Sequence, residues 1–332
     1  MKKKMFSAFF AALLVCMALT GCKKNVGTPE DNAVTEETEE TEDEEENSGY
    51  IFGYSCIDMD NPYFDTLEKS IEAALGQEDY QMIIKNPGSD AELQNQQIQE
   101  LIEAEVDVVF LSPVDWDAVT PALEALKEAD IPVINIDTQV KKTDLVDAFV
   151  GSDNKNAGYV CGKDLVVQCP DGGNILILEC PTMNSINERI TGFEKAILNA
   201  GFVVLDRADV NGEKEKAKEK MKEFLEKYPD IDAVMCGNDQ IALGASEAVK
   251  EVGRTDILIY GVDGSPEVKA EIGKENSPIV ATGAQSPIHI GKTAAEVAIA
   301  ILEGEKYKKE TLEETFLINR DNVELYGVDG WQ

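Results

Sequence analysis

Histidine is nearly missing from this 332-residue sequence, with His289 the single example. A lone imidazole beside a predicted helix start gives no Ser-His-Asp arrangement, and general acid–base work loses its commonest residue. Basic residues are also scarce, 30 Lys and Arg against 64 Asp and Glu, for a net charge of −34. Nucleic-acid surfaces must neutralise phosphates, so no nucleic-acid partner is expected. Among the seven cysteines no CxxC spacing occurs, which argues against a zinc site or a disulfide framework. Neither a GxxxxGKS/T loop nor a GxGxxG after a strand is present, so nucleotide chemistry has no support. Asp58 and Asp60 could pair as glycosidase carboxylates, but sequence gives no spatial separation for them. The expectation is a protein that is not an enzyme and needs neither cofactor nor metal.

What is present begins with three lysines, Lys2 to Lys4, and an apolar run from Met5 to Leu19 broken only by Ser7. That order reads as an export signal, and the run is shorter than the ~20 residues a membrane-spanning helix needs. Leu19-Thr20-Gly21-Cys22 resembles the bacterial lipobox, which implies cleavage before Cys22 and lipidation of that cysteine. The expected location is therefore outside the cytoplasm, anchored by lipid to the outer face of the cell membrane. Residues 1–22 form the leader and 23–49 an acidic tether, since Thr35 to Glu46 holds no apolar residue and its like charges repel. Beyond residue 49 the chain still carries 53 acids against 25 bases.

From there β-branched runs alternate with amphipathic stretches. Strands are predicted at 51–57, 81–85, 107–111 and 132–136, with helices at 64–75, 91–103 and 118–129. A second cycle places strands at 174–178, 203–208, 233–236, 257–260 and 279–282. Its helices fall at 156–167, 186–199, 213–227 and 241–251. Apolar strands alternating with helices imply parallel sheets covered on both faces. The fold class is α/β, with two doubly wound parallel-sheet lobes joined by a multi-strand hinge. Gly151 to Asn154 lies between the cycles as a hinge segment, and a late helix at 288–302 returns to the first lobe. Lobe 1 is expected to take residues 50–151 and 286–314, and lobe 2 residues 152–285 and 315–332.

In doubly wound sheets ligands bind outside the carboxyl ends of the strands. Those positions hold Asp58 to Phe64, Ser112 to Trp116, Asp137 to Gln139, Asn238, Asp239, Asp263 and Gln285. Carboxylates and amides match the donors and acceptors of neighbouring hydroxyls, and aromatic faces cover the C–H patches of a sugar ring. Taken singly, a post-strand Asp or Asn can equally be a helix cap. Tyr63 can equally be core. Of the cysteines, Cys161 and Cys169 are too far apart on one helix to bridge, and a Cys180–Cys236 pair stays open.

At these strand ends the chain resembles the ribose- and galactose-type periplasmic binding proteins that feed sugar ABC importers. The resemblance runs from Tyr50 to about Val323. It rests on Asn61-Pro62-Tyr63-Phe64, on Pro132 to Asp137, and on Asn187-Glu188-Arg189-Ile190-Thr191-Gly192-Phe193. Gly237 to Ala245, Tyr260 to Gly264 and Ala281 to Gln285 complete it in the expected order. By position, it implies that Asn61, Asp137, Arg189, Asn238, Asp263 and Gln285 hydrogen-bond the ligand. Phe64 would pack on a ring face with Tyr63 beside it. Two positions depart: Thr138 stands where ribose binders carry an arginine, and Val210 takes the place of a second stacking aromatic. That puts ribose itself in doubt, and Trp116 is the candidate for the missing aromatic surface.

The implied function is capture of a sugar or sugar-like molecule between the lobes and delivery to an ABC importer permease by hinge closure. The alternative is a receptor subunit reporting the same ligand to a membrane kinase or chemoreceptor. Repressors that share the two-lobed core carry a DNA-binding segment where this chain has its leader and acidic stretch.

Overall fold

The computed structural model describes residues 49–76 and 80–332. The expected leader, the expected lipidation site Cys22 and nearly all of the expected tether lie outside the described residues. The first cycle runs β1 Tyr50–Ser55, α1 Pro62–Leu75, β2 Tyr80–Lys85, α2 Ala91–Glu103, β3 Val108–Leu111, α3 Thr120–Glu128, β4 Val133–Asp137 and β5 Ala148–Ser152. The second runs α4 Asn154–Gln168, β6 Gly173–Glu179, α5 Asn184–Ile197, β7 Phe202–Asp209, α6 Lys214–Lys227, β8 Ala233–Cys236, α7 Asp239–Glu251, β9 Leu258–Asp263, α8 Pro266–Ile272 and β10 Ile279–Ala284. The chain then continues through α9 Pro287–Glu303, β11 Glu310–Glu313, β12 Phe316–Asn319 and the short α10 Val323–Tyr326.

Two six-stranded sheets result, ordered β11-β5-β4-β3-β1-β2 and β12-β10-β9-β8-β6-β7. All pairings are parallel except β10 with β12. Each sheet reverses its winding at one place, between β1 and β3 in the first and between β6 and β8 in the second. Those are the topological switch points where ligands of open α/β sheets bind. In the first sheet the buried Gln94 of α2 holds the switch point together. Its Nε2 donates to Ser55 Oγ and to the carbonyls of Cys56 and Ser112, while its Oε1 accepts from Val114 N.

The helices bury the faces that the three- and four-residue spacing marks. On α1, Phe64, Leu67 and Ile71 are all buried, and each such side chain contributes roughly 1.5–3 kcal/mol relative to exposure. The same helix opens with the Asn61 side chain accepting from Tyr63 N and with Pro62 in its first turn, a favoured start. The late helix α9 packs on α1, β4 and β5 of the first sheet.

The chain passes between the sheets three times, at Ser152–Asn154, Ala284–Pro287 and Glu313–Phe316. These crossings are bonded to one another. Asp153 N donates to Glu313 O at 3.0 Å, Thr315 Oγ1 to Asp153 O at 3.0 Å, and Ser152 Oγ to Gln285 Oε1 at 2.8 Å. Strands β5, β11 and β12 have no counterpart among the strands predicted from the sequence. All five cysteines among the described residues are free thiols, so the Cys180–Cys236 pair left open above does not form. Among the described residues no helix is long and apolar enough to cross a membrane.

The closest approach between helices is made by α4 and α5. A methyl group at Gly158 would lie 1.7 Å from the Arg189 carbonyl oxygen, and one at Gly192 would lie 1.9 Å from that of Lys155. No side chain fits either gap. The Gly158→Ala variant is expected to lose about 3 kcal/mol, at the upper end for overpacking because the obstacle is backbone. Urea unfolding checks it, and an unchanged midpoint would mean the helices are not locked together here.

Candidate functional site

The carboxyl ends of both sheets face one cleft of about 300 Å³. From the first sheet come Asp58, Asp60, Asn61, Tyr63, Phe64 and Asp137; from the second, Met183, Ser185, Ile186, Arg189, Asn238, Asp263 and Gln285. The loop after β7 adds Asn211 to Glu213, continued by Lys214 and Glu215 of α6.

At the centre lies a buried ion cluster. Arg189 on α5 is 3% exposed and its Nη1 sits 3.3 Å from Asp263 Oδ1. Its Nε donates to Asn154 Oδ1 at 2.8 Å and Nη1 to Gly237 O at 3.0 Å. Two edges of the guanidinium are thereby fixed. Among the described residues Nη2 has no hydrogen-bond partner, which leaves it available to the cleft. Asp263 accepts from Gln285 Nε2 at 2.7 Å, and Asp239 N approaches its other oxygen at 3.4 Å. Behind it, Asp239 accepts from Ser265 N, Ser265 Oγ and Thr282 Oγ1.

Asp137 ends β4 across the cleft, 5% exposed, with Ser112 Oγ donating to it at 3.3 Å. Burial pushes its carboxyl above the ordinary range, while Arg189 and the donors around it pull the other way. Asp263 is raised as well, first by burial. Both residues hold positive φ, 62° at Asp137 and 145° at Asp263. The first suits an aspartate in the left-handed region; the second is strained for any side chain. The outlier at Asp263 marks a strand end where local preference yields to the geometry of the site.

Asn61 and Asn238 each do two jobs. Asn238 Oδ1 caps α7 through Ile241 N at 2.8 Å, and Asn61 Oδ1 caps α1. Both nonetheless line the cleft. Capping consumes the oxygen, so the amide N–H groups are what each offers inward; the Asn238 amide also reaches Gly212 O at 3.3 Å. Tyr63 and Phe64 are both buried and meet edge to face at 5.4 Å. The Tyr63 hydroxyl lies close to Asp137 but has no partner in good hydrogen-bond geometry.

Two sequence expectations are corrected. Trp116 does not line the cleft: its backbone N donates to Thr182 O at 2.9 Å, from one lobe to the other, and Lys141 stacks over its ring. Thr138 is fully buried and also outside the lining, its Oγ1 accepting from Ser185 N at 2.8 Å. Helix α5 begins at Met183, which supplies no side-chain cap, so a threonine of the opposite lobe caps it. Val210 is core, and Met183 with Ile186 forms the second-lobe wall instead. Gln285 does line the cleft, yet Ser152 and Asp263 take both ends of its amide. Asn154 and the loop from Asn211 to Glu213 were missed. The strand-end rule reaches that loop, since β7 ends at Asp209.

The lining sets Asp58, Asp60, Asp137, Asp263, Glu213 and Glu215 against Arg189 and Lys214. Such a cleft repels anions. Among the described residues no group of three or more His, Cys, Asp or Glu is placed to hold a metal ion.

Facing strand ends, a hydrogen-bonded hinge and a polar cleft define the class, a two-lobed solute-binding protein. Comparison with known proteins agrees. The profile of a family described as the periplasmic binding protein domain matches residues 52–306. The chain is 32% identical over 268 residues to the ribose import binding protein of Bacillus subtilis (strain 168), covering 79% of this chain and 86% of that one. An ABC transporter solute binding protein from Mycobacterium smegmatis with bound glycerol superposes at a TM-score of 0.80 and 28% identity, covering 85% of this chain and 98% of that one. The fructose-binding periplasmic domain of a hybrid two-component system matches at 0.75 and 27%, covering 83% and 92%. The chain belongs to the periplasmic binding protein family, among the ribose/galactose-type members.

The raised carboxyl of Asp137 has a measurable sign. A folded-state pKa above the unfolded one means the native protein holds the proton more tightly, so ionisation costs stability as pH rises. The cost builds from the ordinary carboxylate range up to the raised value and is full only above it. Asp137→Asn, which keeps the left-handed backbone accessible, should therefore raise the urea midpoint of ligand-free protein at pH 7.5. The advantage should shrink towards pH 4. A pH-independent difference would contradict an ionising buried carboxyl.

Proposed function

We propose that the protein binds an uncharged, polyhydroxylated molecule of monosaccharide or polyol size in this cleft and delivers it to an ABC importer permease. The observation that carries the reading is convergence: Arg189 Nη2, the amide N–H groups of Asn61 and Asn238, and the oxygens of Asp137 and Asp263 all meet in one cavity. Tyr63 and Phe64 supply its aromatic side. Charge-assisted hydrogen bonds of this kind are roughly twice as strong as neutral ones. Hydroxyls can serve both the acceptors and the donors, which an anion cannot. The protein acts as a binder rather than an enzyme.

Lobe 1 would comprise residues 50–151 and 286–314, and lobe 2 residues 152–285 and 315–332. A ligand touching both favours the closed arrangement by its differential affinity for it. The Trp116–Thr182 and Thr138–Ser185 bonds would form on closure and break on opening. An importer then distinguishes loaded from empty protein by shape. Cys22, lipidated at the outer face of the cell membrane, would keep the binder beside its importer.

A second reading has one observation behind it. The similar fructose-binding domain belongs to a hybrid two-component system, so a sensor role for this chain uses the same closed form. Stimulation of a permease ATPase by the liganded protein would favour transport, and stimulation of a kinase would favour sensing.

The test is a thermal-shift panel of pentoses, hexoses, polyols and amino acids. A ligand at about 1,000 times its Kd should add roughly 4 kcal/mol. With that ligand, Asp137→Ala and Asn238→Ala should each lose about 2 kcal/mol, near 30-fold in Kd. A shift with an amino acid and none with any sugar or polyol would overturn the substrate class; unchanged affinity in both variants would overturn the site.

A further inference from the structure

Trp331 is one of two tryptophans in the sequence, and it belongs to a segment, Gly330–Gln332, that presses on the site from outside the cleft. The anchor is Lys269 on α8, whose side chain is fully buried. Its Nζ donates to Gly330 O at 2.5 Å and to Gln332 Oε1 at 3.2 Å, and among the described residues no carboxylate forms an ion pair with it. A buried ammonium without partners is costly, so these two acceptors hold the segment in place.

The Gln332 amide is then spent completely. Its Nε2 donates to Asp263 O at 3.1 Å and to Gln285 O at 2.7 Å. It thereby ties together the backbones of the two residues whose side chains pair inside the cleft. Gly264 is shaped to this contact, because a methyl group there would lie 2.3 Å from Gln332 Nε2. Trp331 reaches the other lobe, its ring meeting Tyr63 edge-on at 5.7 Å and 75°.

We infer that Gly330–Gln332 is a latch across the lobes and that Trp331 and Gln332 are positioning residues for ligand binding. Gln332 sets the Asp263–Gln285 pair, and Trp331 holds the Tyr63 ring against the cleft wall. The segment is hydrogen-bonded to Lys269, Asp263 and Gln285 and meets the first lobe through the Trp331–Tyr63 ring contact, so that contact reports and favours closure. This inference rests on the reading of the cleft as a sugar or polyol site.

The probe is whichever monosaccharide or polyol of the panel shifts melting most. In the full chain, Trp331→Ala should weaken its binding about 3- to 10-fold, the value of one aromatic pair, and Trp331→Phe should restore most of it. Gln332→Ala should weaken it similarly. With Trp116→Phe leaving Trp331 as sole tryptophan, saturation should change its emission. Unchanged affinity in both Trp331→Ala and Gln332→Ala, or emission indifferent to a ligand that stabilises the protein, overturns the latch. If no sugar or polyol binds, the sugar reading has failed. The latch is then read without ligand, from acrylamide quenching in the Trp116→Phe background. Added Lys269→Met should release the segment and raise quenching, and equal quenching overturns it.

Discussion

The contact on which this site turns is the buried pair of Arg189 and Asp263. A guanidinium at 3% exposure is tolerable only if nearly all its donors are placed, because an unpaired buried charge costs several kcal/mol. Asn154, Gly237 O and Asp263 take the donors on one side. The placement is inherited from helix packing: α5 can carry Arg189 this deep because Gly158 of α4 leaves room for the Arg189 carbonyl itself. A backbone contact in the second lobe thus sets where a cleft cation points. Asn154 belongs to the same α4, so one helix both admits the arginine and bonds it.

Closure is built from groups that belong to neither ligand nor core. An α5 N-terminus without a cap of its own is an incomplete structure, since the first N–H groups of a helix need acceptors. Thr138 completes it from the opposite lobe. Thr138 therefore makes a lobe-to-lobe hydrogen bond instead of lining the cleft.

The α/β alternation, most strand positions and the polar strand ends were legible because apolar periodicity and post-strand polarity follow directly from parallel sheets covered on both faces. Edge strands were not. β11 and β12 are four residues each, only partly buried, and so lack the apolar run that reveals a central strand. β5 escaped because Ala148 to Ser152 includes Gly151 at a site that resembles a linker. Within the site, post-strand polarity singles out Asp137, Asn238 and Asp263 and the resemblance singles out Arg189, and all four line the cleft. Trp116 was misjudged because a loop position says which end of the sheet a residue occupies but not which way its ring turns. The Lys269–Gln332 contact joins residues distant in sequence through an amide and a carbonyl, and no local pattern announces it.

The ligand-free site is also poorly satisfied in a directed way. Burial raises Asp137 and Asp263 together, the Tyr63 hydroxyl has no hydrogen-bond partner among the described residues, and Asp263 sits at a strained φ of 145°. Each feature costs stability and would be unnecessary in a cleft serving only as a lobe interface. In the proposed complex a polyhydroxylated ligand would add donors to Asp137 of one sheet and Asp263 of the other at once. The proposed contacts are therefore divided across the hinge. In the proposed mechanism that division would give the ligand its differential affinity for the closed state, the one quantity from which closure can draw.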